Sequence, residues 1–248
     1  MAYDYFAQLY DELMNDAPYD QWLDFFYRTL NDYQLPSAKV LDIGCGTGEL
    51  ALKLKRDKFD VTGIDLSENM LAMAKEKAEH EKLSFPLFQQ DMRELELGST
   101  FDMILIFCDS LNYLETLDDV KQTFQRVYEH LNEGGALLFD VHSLYKIHSI
   151  FINHTFAYND ENIAYIWESF PGEEEHSVYH DLTFFTKTGQ DLFTRHDETH
   201  YQRTFDIETY SFLLKEAGFQ CLKVCADFTN DPPTKTSERI FFIAKKNS

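Results

Sequence analysis

The chain has 248 residues, of which 44% are apolar, enough for a sizeable core. Lys and Arg number 22 against 43 Asp and Glu, so the formal net charge is −21 at pH 7. A field of this sign repels nucleic-acid phosphates and anionic lipid, so neither is an expected partner. The N-terminal residues lack the features of a signal peptide, and no apolar run is long enough to span a bilayer. The cysteines suit reduced thiols, and we expect a cytoplasmic protein.

Helices and strands are predicted to alternate through the first 143 residues. Two aromatic helices come first, over residues 6–14 and 22–30. Continuous apolar strands that alternate with helices predict a parallel sheet covered on both faces, which is the doubly wound α/β class. The later predicted strands are 40–44, 61–64, 85–88, 103–107 and 136–141, and the predicted helices are 49–56, one capped by Ser67 and one that begins at Thr116.

The α/β pattern is interrupted between residues 144 and 204, where no helical periodicity is found. A helix capped by Asp206 then restores it. We therefore predict a core of residues 1–143 and 205–248 and an antiparallel β insertion over 144–204. The strands expected in the insertion are 163–170, 178–186 and 192–203, with a hairpin turn at 187–190, and the last two strands of the chain are expected at 219–226 and 239–245.

The strongest indication of function is the glycine loop 44–48, which connects the strand at 40–44 to a helix. In a doubly wound sheet this first turn lies at the carboxyl edge, where ligands bind. The spacing is G-x-G-x-G, whereas dinucleotide sites use G-x-G-x-x-G, and Glu49 stands where the third glycine would be. A carboxylate at a helix start disfavours a pyrophosphate. Together, Glu49 and Asp42 favour a cationic ligand without phosphate, and S-adenosylmethionine fits this description.

Two more acids follow at the spacing of a nucleoside site. Asp65 ends the second predicted strand, 21 residues after Gly44, where a carboxylate can accept hydrogen bonds from both ribose hydroxyls. Asp91 follows the third strand, where it can bind an adenine amino group while Met92 packs on the ring. Either acid alone would indicate a helix cap or a loop. The ordered set favours a nucleoside site.

Several segments carry the motifs of one family, and by them the chain resembles the class I S-adenosylmethionine-dependent methyltransferases. These segments are residues 40–48, 63–71, 90–92, 101–104 and 131–140. Residues 6–11 and the insertion resemble a small bacterial subgroup. The resemblance implies a Rossmann-like, mostly parallel seven-stranded sheet with an antiparallel last strand. It implies a cofactor site made of Tyr10, Asp42, Gly44, Cys45, Gly46, Gly48, Asp65, Leu66, Met70, Gln90, Asp91, Met92, Cys108 and Asp109.

The methyl acceptor is less well defined by the sequence. Transfer from a sulfonium is an in-line displacement, and positioning supplies most of its acceleration. A base is needed only when the acceptor carries a proton that must leave. The candidates are polar or aromatic residues expected at the carboxyl edge or in the insertion. Candidate catalytic residues are Asp109, His142 and His200, and candidate substrate contacts are Asn112, Tyr113, Trp167 and Arg203.

Two features of the insertion have alternative interpretations. Glu198, His200 and Gln202 share one face of a predicted strand, and the pattern slightly favours an exposed sheet face over a face directed into a cleft. Trp167 is more typical of a small core inside the insertion than of a stacking platform. His196 and His200 lack the Glu of the metalloprotease motif, so no metal site is predicted.

The leading hypothesis is a methyltransferase that acts on a small molecule, with the insertion as a lid or specificity module. The second is a methyltransferase that acts on protein or tRNA, although the acidic charge disfavours tRNA. The third is a non-catalytic nucleoside-binding module that forms a homodimer through the insertion. An NAD enzyme is disfavoured by Glu49 and by the glycine spacing.

Overall fold

A computed structural model describes residues 17–36, 38–189 and 192–247. The helix predicted over 6–14, and Tyr10 with it, lies outside the described residues. No helix within the described ranges is both long and apolar enough to cross a bilayer. The helices are α1 Tyr19–Tyr33, α2 Glu49–Arg56, α3 Glu68–His80, α4 Leu117–His130 and α5 Ile207–Glu216, and the strands are β1 Lys39–Ile43, β2 Asp60–Asp65, β3 Leu87–Gln89, β4 Phe101–Ile106, β5 Leu131–His142, β6 Thr155–Asn159, β7 Ile163–Pro171, β8 Ser177–Lys187, β9 Phe193–Arg203, β10 Phe219–Ala226 and β11 Arg239–Lys246.

Seven strands form one sheet in the order β10-β11-β5-β4-β1-β2-β3. Strands β1 to β5 pair in parallel, and β11 is antiparallel to both of its neighbours. The predicted doubly wound sheet with an antiparallel last strand is therefore confirmed. The strand order reverses between β1 and β4, and in such sheets the ligand crevice lies outside the carboxyl ends of the strands at this point.

The sheet is buried on both faces, which explains why its strands read as continuous apolar runs. In β1, Leu41 and Ile43 belong to the apolar cluster that includes Phe124 of α4, whereas Val40 belongs to the cluster that includes Phe25 of α1. Successive side chains of a strand point to opposite faces. Each strand therefore contributes to two cores, one on either side of the sheet.

The predicted helix starts are confirmed by local capping bonds. The Thr116 hydroxyl accepts the Asp119 N–H at 3.1 Å, and the Asp119 carboxylate accepts the Thr116 N–H at 3.1 Å, which is a complete capping box at α4. Ser67 accepts the N–H of Met70 at α3. Asp206 caps α5 in the same way. These bonds involve residues three apart, so they are accessible to sequence reasoning.

The insertion contains a second, four-stranded antiparallel sheet in the order β6-β7-β8-β9, here called the insertion sheet. Its last three strands agree with those predicted. The prediction that residues 144–204 contain no helix was wrong, because Lys146–Phe151 forms a short π-helix. Strand β6 was also missed, since this edge strand is only five residues long and largely exposed.

The Gly134-Gly135 pair lies within β5, whereas the predicted strand began after it, at residue 136. Leu131 pairs with Phe101 and Ala136 pairs with Met103, so the register shifts across the glycines. Gly134 has φ +76, a conformation that glycine adopts without strain. The glycines therefore form an irregularity in β5 and do not end it.

Truncation of Phe124 tests the packing of α4 on the sheet. Phe124 is fully buried and its ring lies 5.3 Å from that of Phe139. We expect Phe124→Ala to lower the free energy of unfolding by about 3–5 kcal/mol, measured by urea denaturation, because it leaves a cavity. Phe212→Ala is the matched control: this side chain is 59% exposed on α5, and a loss within about 0.5 kcal/mol is expected. Equal losses for the two variants would contradict this packing.

Candidate functional site

A cavity of about 1040 Å³ lies at the carboxyl ends of the parallel strands. One side is formed by the loops that follow β1 to β4, and the other by the inner face of the insertion sheet. The switch point of the seven-stranded sheet and the insertion therefore enclose the same space. Of the predicted cofactor residues that the structure describes, all but Gly48 line this cavity.

The glycine loop follows β1, and each of its three glycines is needed for a different structural reason. Gly44 has φ +69, and a Cβ there would lie 2.7 Å from the Ser110 hydroxyl. Gly46 has φ +53, and a Cβ there would meet no atom within 4 Å, so this backbone is open to the cavity. Gly48 forms the N-cap of α2 and packs against Ala74. Gly48 does not line the cavity, and its contacts are with α2 and α3.

Asp65 connects the glycine loop to the start of α3. Its Oδ2 accepts the N–H of Gly46 at 2.8 Å, and its Oδ1 accepts the N–H of Ser67 at 2.9 Å. Both atoms belong to loops at the cavity wall. The carboxylate therefore orders the site as well as facing it.

Asp42 carries a buried carboxyl oxygen without a partner. The residue is only 3% exposed, and its Oδ2 has no hydrogen-bond partner among the described residues. Burial, together with the negative charge of Asp65, raises the pKa of Asp42 to about 7. A buried acceptor at the cavity wall is compensated when a cationic donor binds. The site therefore suits a ligand with an ammonium group.

The acids near α2 and β3 have cationic partners that the sequence did not reveal. The Asp91 carboxylate binds the Arg93 side chain, with Nε to Oδ1 at 3.0 Å, and this bond holds the pKa of Asp91 below its usual value. Glu49 pairs with Lys77 at 2.9 Å. The negative charge predicted at the start of α2 is therefore partly neutralised within the protein.

Asp140, at the end of β5, anchors the end of β4. Cys108 and Asp109 are consecutive residues with φ +56 and +53, a strained conformation for side chains of this size. Their N–H groups donate to the two Asp140 oxygens at 3.0 and 3.1 Å. Asp140 also accepts the Trp22 indole N–H at 2.8 Å and binds Arg239. These bonds hold the turn in which Cys108 and Asp109 line the cavity.

Asp109 is held by donors from three elements. Arg239 Nη2 lies 2.8 Å from Oδ1, and Gln202 Nε2 and His142 Nε2 lie 3.0 and 3.3 Å from Oδ2. Burial opposes its ionisation, yet His142 and the Arg239 guanidinium together hold the pKa of Asp109 well below its usual value. A carboxylate stabilised in this way is a weak base. Its bonds indicate a positioning role, and the predicted catalytic role of Asp109 stays a prediction.

His142 lies beside Asp109 in the cavity wall. Burial lowers the pKa of His142, so the imidazole is neutral at pH 7. Its Nε2–H then donates to Asp109, and its buried Nδ1 has no partner among the described residues. The predicted position at the carboxyl edge is therefore found, with the ring fixed by an acid that is already ionised.

Two predicted substrate contacts do not reach the cavity. Asn112 is fully buried: its amide donates to the Arg203 carbonyl at 2.8 Å, and its Oδ1 accepts the His142 N–H at 2.9 Å. The Arg203 guanidinium binds the backbone carbonyls of Glu175 and Glu115. Arg203 follows Gln202 in β9, so the two side chains point to opposite faces. Both residues tie β9 to the core, and neither lines the cavity.

The polar row of β9 faces the cleft, and the exposed sheet face favoured by its sequence pattern was wrong. Glu198, His200 and Gln202 are all buried, and His200 and Gln202 line the cavity. Trp167 also lines the cavity, within a small apolar cluster that contains Phe151. The apolar cluster agrees with the core interpretation of Trp167, whereas its role as a stacking platform stays a prediction. No three His, Cys, Asp or Glu side chains of the described chain are placed to hold a metal ion.

His180, on β8, is a cavity residue that sequence reasoning missed. The Trp167 indole N–H donates to its Nδ1 at 2.9 Å, so the ring proton of the neutral form lies on Nε2. Burial lowers the pKa of His180 to about 3. Arg239 and Asp140 were missed as well. In the sequence, each is a charged residue near the end of an otherwise apolar strand. Such a residue can be assigned to a site only once the pairing of β5 with β11 is known.

Comparison with known proteins identifies relatives over the whole chain. Residues 40–135 match the family model described as a methyltransferase domain. A protein of Geobacillus sp. that is named as a methyltransferase is 53% identical over 99% of this chain and 100% of its own. A protein of Bacillus subtilis with the same kind of name is 48% identical over 100% of this chain and 98% of its own. A sugar N,N-dimethyltransferase of Saccharopolyspora spinosa, which acts on dTDP-4-amino-2,3,4,6-tetradeoxy-D-glucose, is 30% identical over 43% of this chain and 42% of its own.

A solved structure agrees with these relatives. The crystal structure of an S-adenosylmethionine-dependent methyltransferase from Clostridium acetobutylicum superimposes with a TM-score of 0.90. The two sequences are 32% identical, and the alignment covers 100% of both chains. The likeness therefore includes the insertion as well as the seven-stranded sheet.

Removal of Arg239 tests the buried charge cluster. We expect Arg239→Met to lower the free energy of unfolding by about 3–5 kcal/mol, because Asp109 and Asp140 would remain buried without their cation. Arg195→Met is the control, since the Arg195–Asp197 pair is exposed and should contribute less than about 1 kcal/mol. Chemical denaturation of the two variants measures both values. A loss for Arg239→Met no larger than that of the control would show that the cluster does not stabilise the fold.

The raised pKa of Asp42 predicts a pH-dependent stability. The neutral form is favoured in the folded state, so its stabilising contribution is present below about pH 4 and is lost as the pH rises through about 7. Asp42→Asn has no such loss. Relative to this variant, the free energy of unfolding of the ligand-free chain should fall by on the order of 4 kcal/mol between about pH 4 and pH 8. A difference that stays constant with pH would contradict the assignment.

Proposed function

The chain belongs to the class I S-adenosylmethionine-dependent methyltransferases, and we propose that it methylates a small-molecule acceptor held between the glycine loop and the insertion sheet. The main observation is the cavity itself, since one space of about 1040 Å³ is lined by both the cofactor loops and the insertion sheet. Binding sites for small ligands are concave and mostly apolar, with a few placed polar groups. This volume suits a nucleoside cofactor together with a small acceptor.

The cofactor half of the cavity suits S-adenosylmethionine. We place the ammonium group at Asp42, whose buried Oδ2 lacks a partner among the described residues. The methionine chain would lie along the open backbone of Gly46, and the ribose hydroxyls would bind Asp65. When bound, S-adenosylmethionine supplies a methyl group activated by its sulfonium charge. The protein supplies orientation and excludes water. The remaining residues of the proposed cofactor site are Gly44, Cys45, Leu66, Met70, Gln90, Asp91, Met92, Cys108 and Asp109.

The acceptor half is largely aromatic, with few polar groups. Phe151, Phe156 and Trp167 form an apolar wall, and His180 and His200 contribute imidazoles. The Nε2 of His180 has no hydrogen-bond partner among the described residues, so this buried N–H can bind an acceptor oxygen or nitrogen. Such a surface supports a small, partly apolar acceptor. The amino-sugar relative acts on a small molecule, which supports the same class.

We further propose that residues 144–204 cover the acceptor while residues 1–143 and 205–248 form the catalytic core. Gln202 of β9 binds Asp109 at the end of β4, and the Arg203 carbonyl binds Asn112. The insertion sheet is therefore attached directly to the carboxyl edge. A cover of this kind excludes water from the reacting groups.

Titration calorimetry with S-adenosylmethionine tests the cofactor site. We expect Asp65→Ala to weaken binding by roughly 1–3 kcal/mol, because it removes hydrogen bonds to the ligand and to the glycine loop. Asp60→Ala is the control, since Asp60 is exposed at the other end of the same strand. Equal affinity in the three proteins would place the cofactor elsewhere.

A screen for release of S-adenosylhomocysteine tests the acceptor class. The panel contains small alcohols, phenols, amines and carboxylic acids, with total tRNA and total protein as separate arms. We expect turnover with at least one small molecule. Turnover restricted to the tRNA or protein arm would overturn the small-molecule proposal, and failure to bind S-adenosylmethionine would overturn the cofactor site.

A further inference from the structure

Three side chains in the acceptor half form a continuous polar line. The Tyr113 hydroxyl lies 3.3 Å from His200 Nδ1, and His200 Nε2 lies 3.3 Å from Glu198 Oε2. Tyr113 ends the short 3₁₀ turn Ser110–Tyr113 after β4, whereas Glu198 and His200 are neighbours on the inner face of β9. The line therefore runs from the end of β4 into the insertion sheet. Contacts between catalytic groups are often this long before substrate binds.

The positions of the protons along this line follow from the chemistry of Glu198 at one end and Tyr113 at the other. An ionised carboxylate accepts hydrogen bonds only, so with Glu198 in that form the contact requires the His200 proton to lie on Nε2. In the neutral imidazole, Nδ1 is then the acceptor, and it receives the O–H of Tyr113. The phenol oxygen is thereby polarised toward accepting another proton. Glu198 sets the tautomer, His200 receives the proton, and Tyr113 is the outer group.

Burial makes this line stronger than it would be in water. The side chains of His200 and Glu198 are 6% and 4% exposed, so solvent hardly competes with their bond. Tyr113 lines the cavity and is 39% exposed, which makes it the accessible end. Across the sheet His200 pairs with His180, which burial keeps neutral. His180 therefore adds no positive charge that would oppose protonation of His200.

We propose that Tyr113, His200 and Glu198 form a proton relay that deprotonates the methyl acceptor, so that the acceptor atom is a hydroxyl oxygen or an amine nitrogen. This inference rests on the proposed methyltransferase function. As the acceptor–carbon bond forms, the carbon–sulfur bond of the donor breaks and its electron pair stays on sulfur. The acceptor proton moves to Tyr113 Oη, and the Tyr113 proton moves to His200 Nδ1. The resulting imidazolium is stabilised by Glu198 and releases its proton to solvent after transfer.

The other polar groups near the end of β4 are unsuited to this role. Asp109 is ionised and bound by Arg239, Gln202 and His142, so a proton is taken up there only at the expense of an ion pair. His142 donates its Nε2–H to the same acid. The relay differs from these residues in two ways. Tyr113 is accessible from the cavity, and Glu198 compensates the positive charge that His200 gains when it receives a proton.

The first experiment requires no acceptor. The full chain is labelled with nitrogen-15 histidine, and long-range proton–nitrogen correlation spectra report the tautomer of each imidazole. The His200 signals are identified by their loss in His200→Gln. We expect His200 to be protonated on Nε2, its Nδ1 resonance to shift in Tyr113→Phe, and its Nε2 resonance to shift in Glu198→Gln, where a neutral amide replaces the carboxylate as the hydrogen-bond partner. Tyr179→Phe and Asp197→Asn are controls, since both side chains lie outside the cavity lining, and they should leave the His200 signals unchanged.

The second experiment measures single-turnover methyl transfer to the panel of small acceptors. For hydroxyl or amine acceptors, Tyr113→Phe and His200→Gln should each slow transfer by about 100-fold, with S-adenosylmethionine affinity within about two-fold of the parent chain. A solvent deuterium isotope effect on transfer should be present in the parent chain and absent in Tyr113→Phe. Transfer to carboxylates, which carry no proton at neutral pH, should be insensitive to both changes.

The outcomes separate the relay from the proposed function. Loss of S-adenosylmethionine binding in the parent chain would overturn the proposed function, whereas the tautomer spectra report on the relay alone. Protonation of His200 on Nδ1, or unchanged spectra in both Tyr113→Phe and Glu198→Gln, would overturn the relay even if methyl transfer is found. A parent chain that methylates only carboxylates would overturn the acceptor class. Should the panel give no turnover, the tautomer result decides.

Discussion

The ion pair between Asp140 and Arg239 is the interaction on which the rest of the site depends. Asp140 is fully buried, and removing a carboxylate from water is costly unless cations and donors replace the solvent. Arg239 of β11, the indole of Trp22 in α1 and the backbone of Cys108 and Asp109 together provide them. The guanidinium also lies 5.0 Å from the Trp22 ring centroid. One acid thus joins β4, β5, β11 and α1 at the edge where the cavity lies.

Arg239 also explains how the insertion sheet is positioned, through its second ion pair with Asp109. Arg239 holds Asp109 ionised in a left-handed turn, and Asp109 in turn binds Gln202 on β9. Because Gln202 and His200 lie on the same face of β9, fixing Gln202 also fixes where His200 meets Tyr113. Charges that stabilise the fold therefore set the geometry in which we propose the acceptor loses its proton. The strained backbone at the end of β4 is sustained by the donors it provides to Asp140.

In the relay that we propose, the two buried acids Asp109 and Glu198 have different roles. Asp109 is bound by the permanent cation of Arg239, so its charge is compensated before any reaction. This charge positions the neighbouring side chains. Glu198 is bound to an imidazole, which becomes cationic only on receiving a proton. A carboxylate of the second kind stabilises charge as it develops, which is the electrostatic arrangement that lowers a barrier. This difference, rather than residue type, separates a positioning acid from one that supports catalysis.

The sequence by itself determined the features that depend on short-range contacts. The caps Ser67, Thr116 and Asp206 act over three residues, and the glycine loop with Asp65 has the spacing typical of a strand–loop–helix unit. The tertiary structure alone decided the partners of the polar side chains. Asp140 and Arg239 are 99 positions apart and meet through strand pairing. Likewise, alternation in β9 shows that Glu198 and His200 share a face, but only the packing of the insertion sheet over the cavity decides that this face is buried, because periodicity carries no information about what lies opposite.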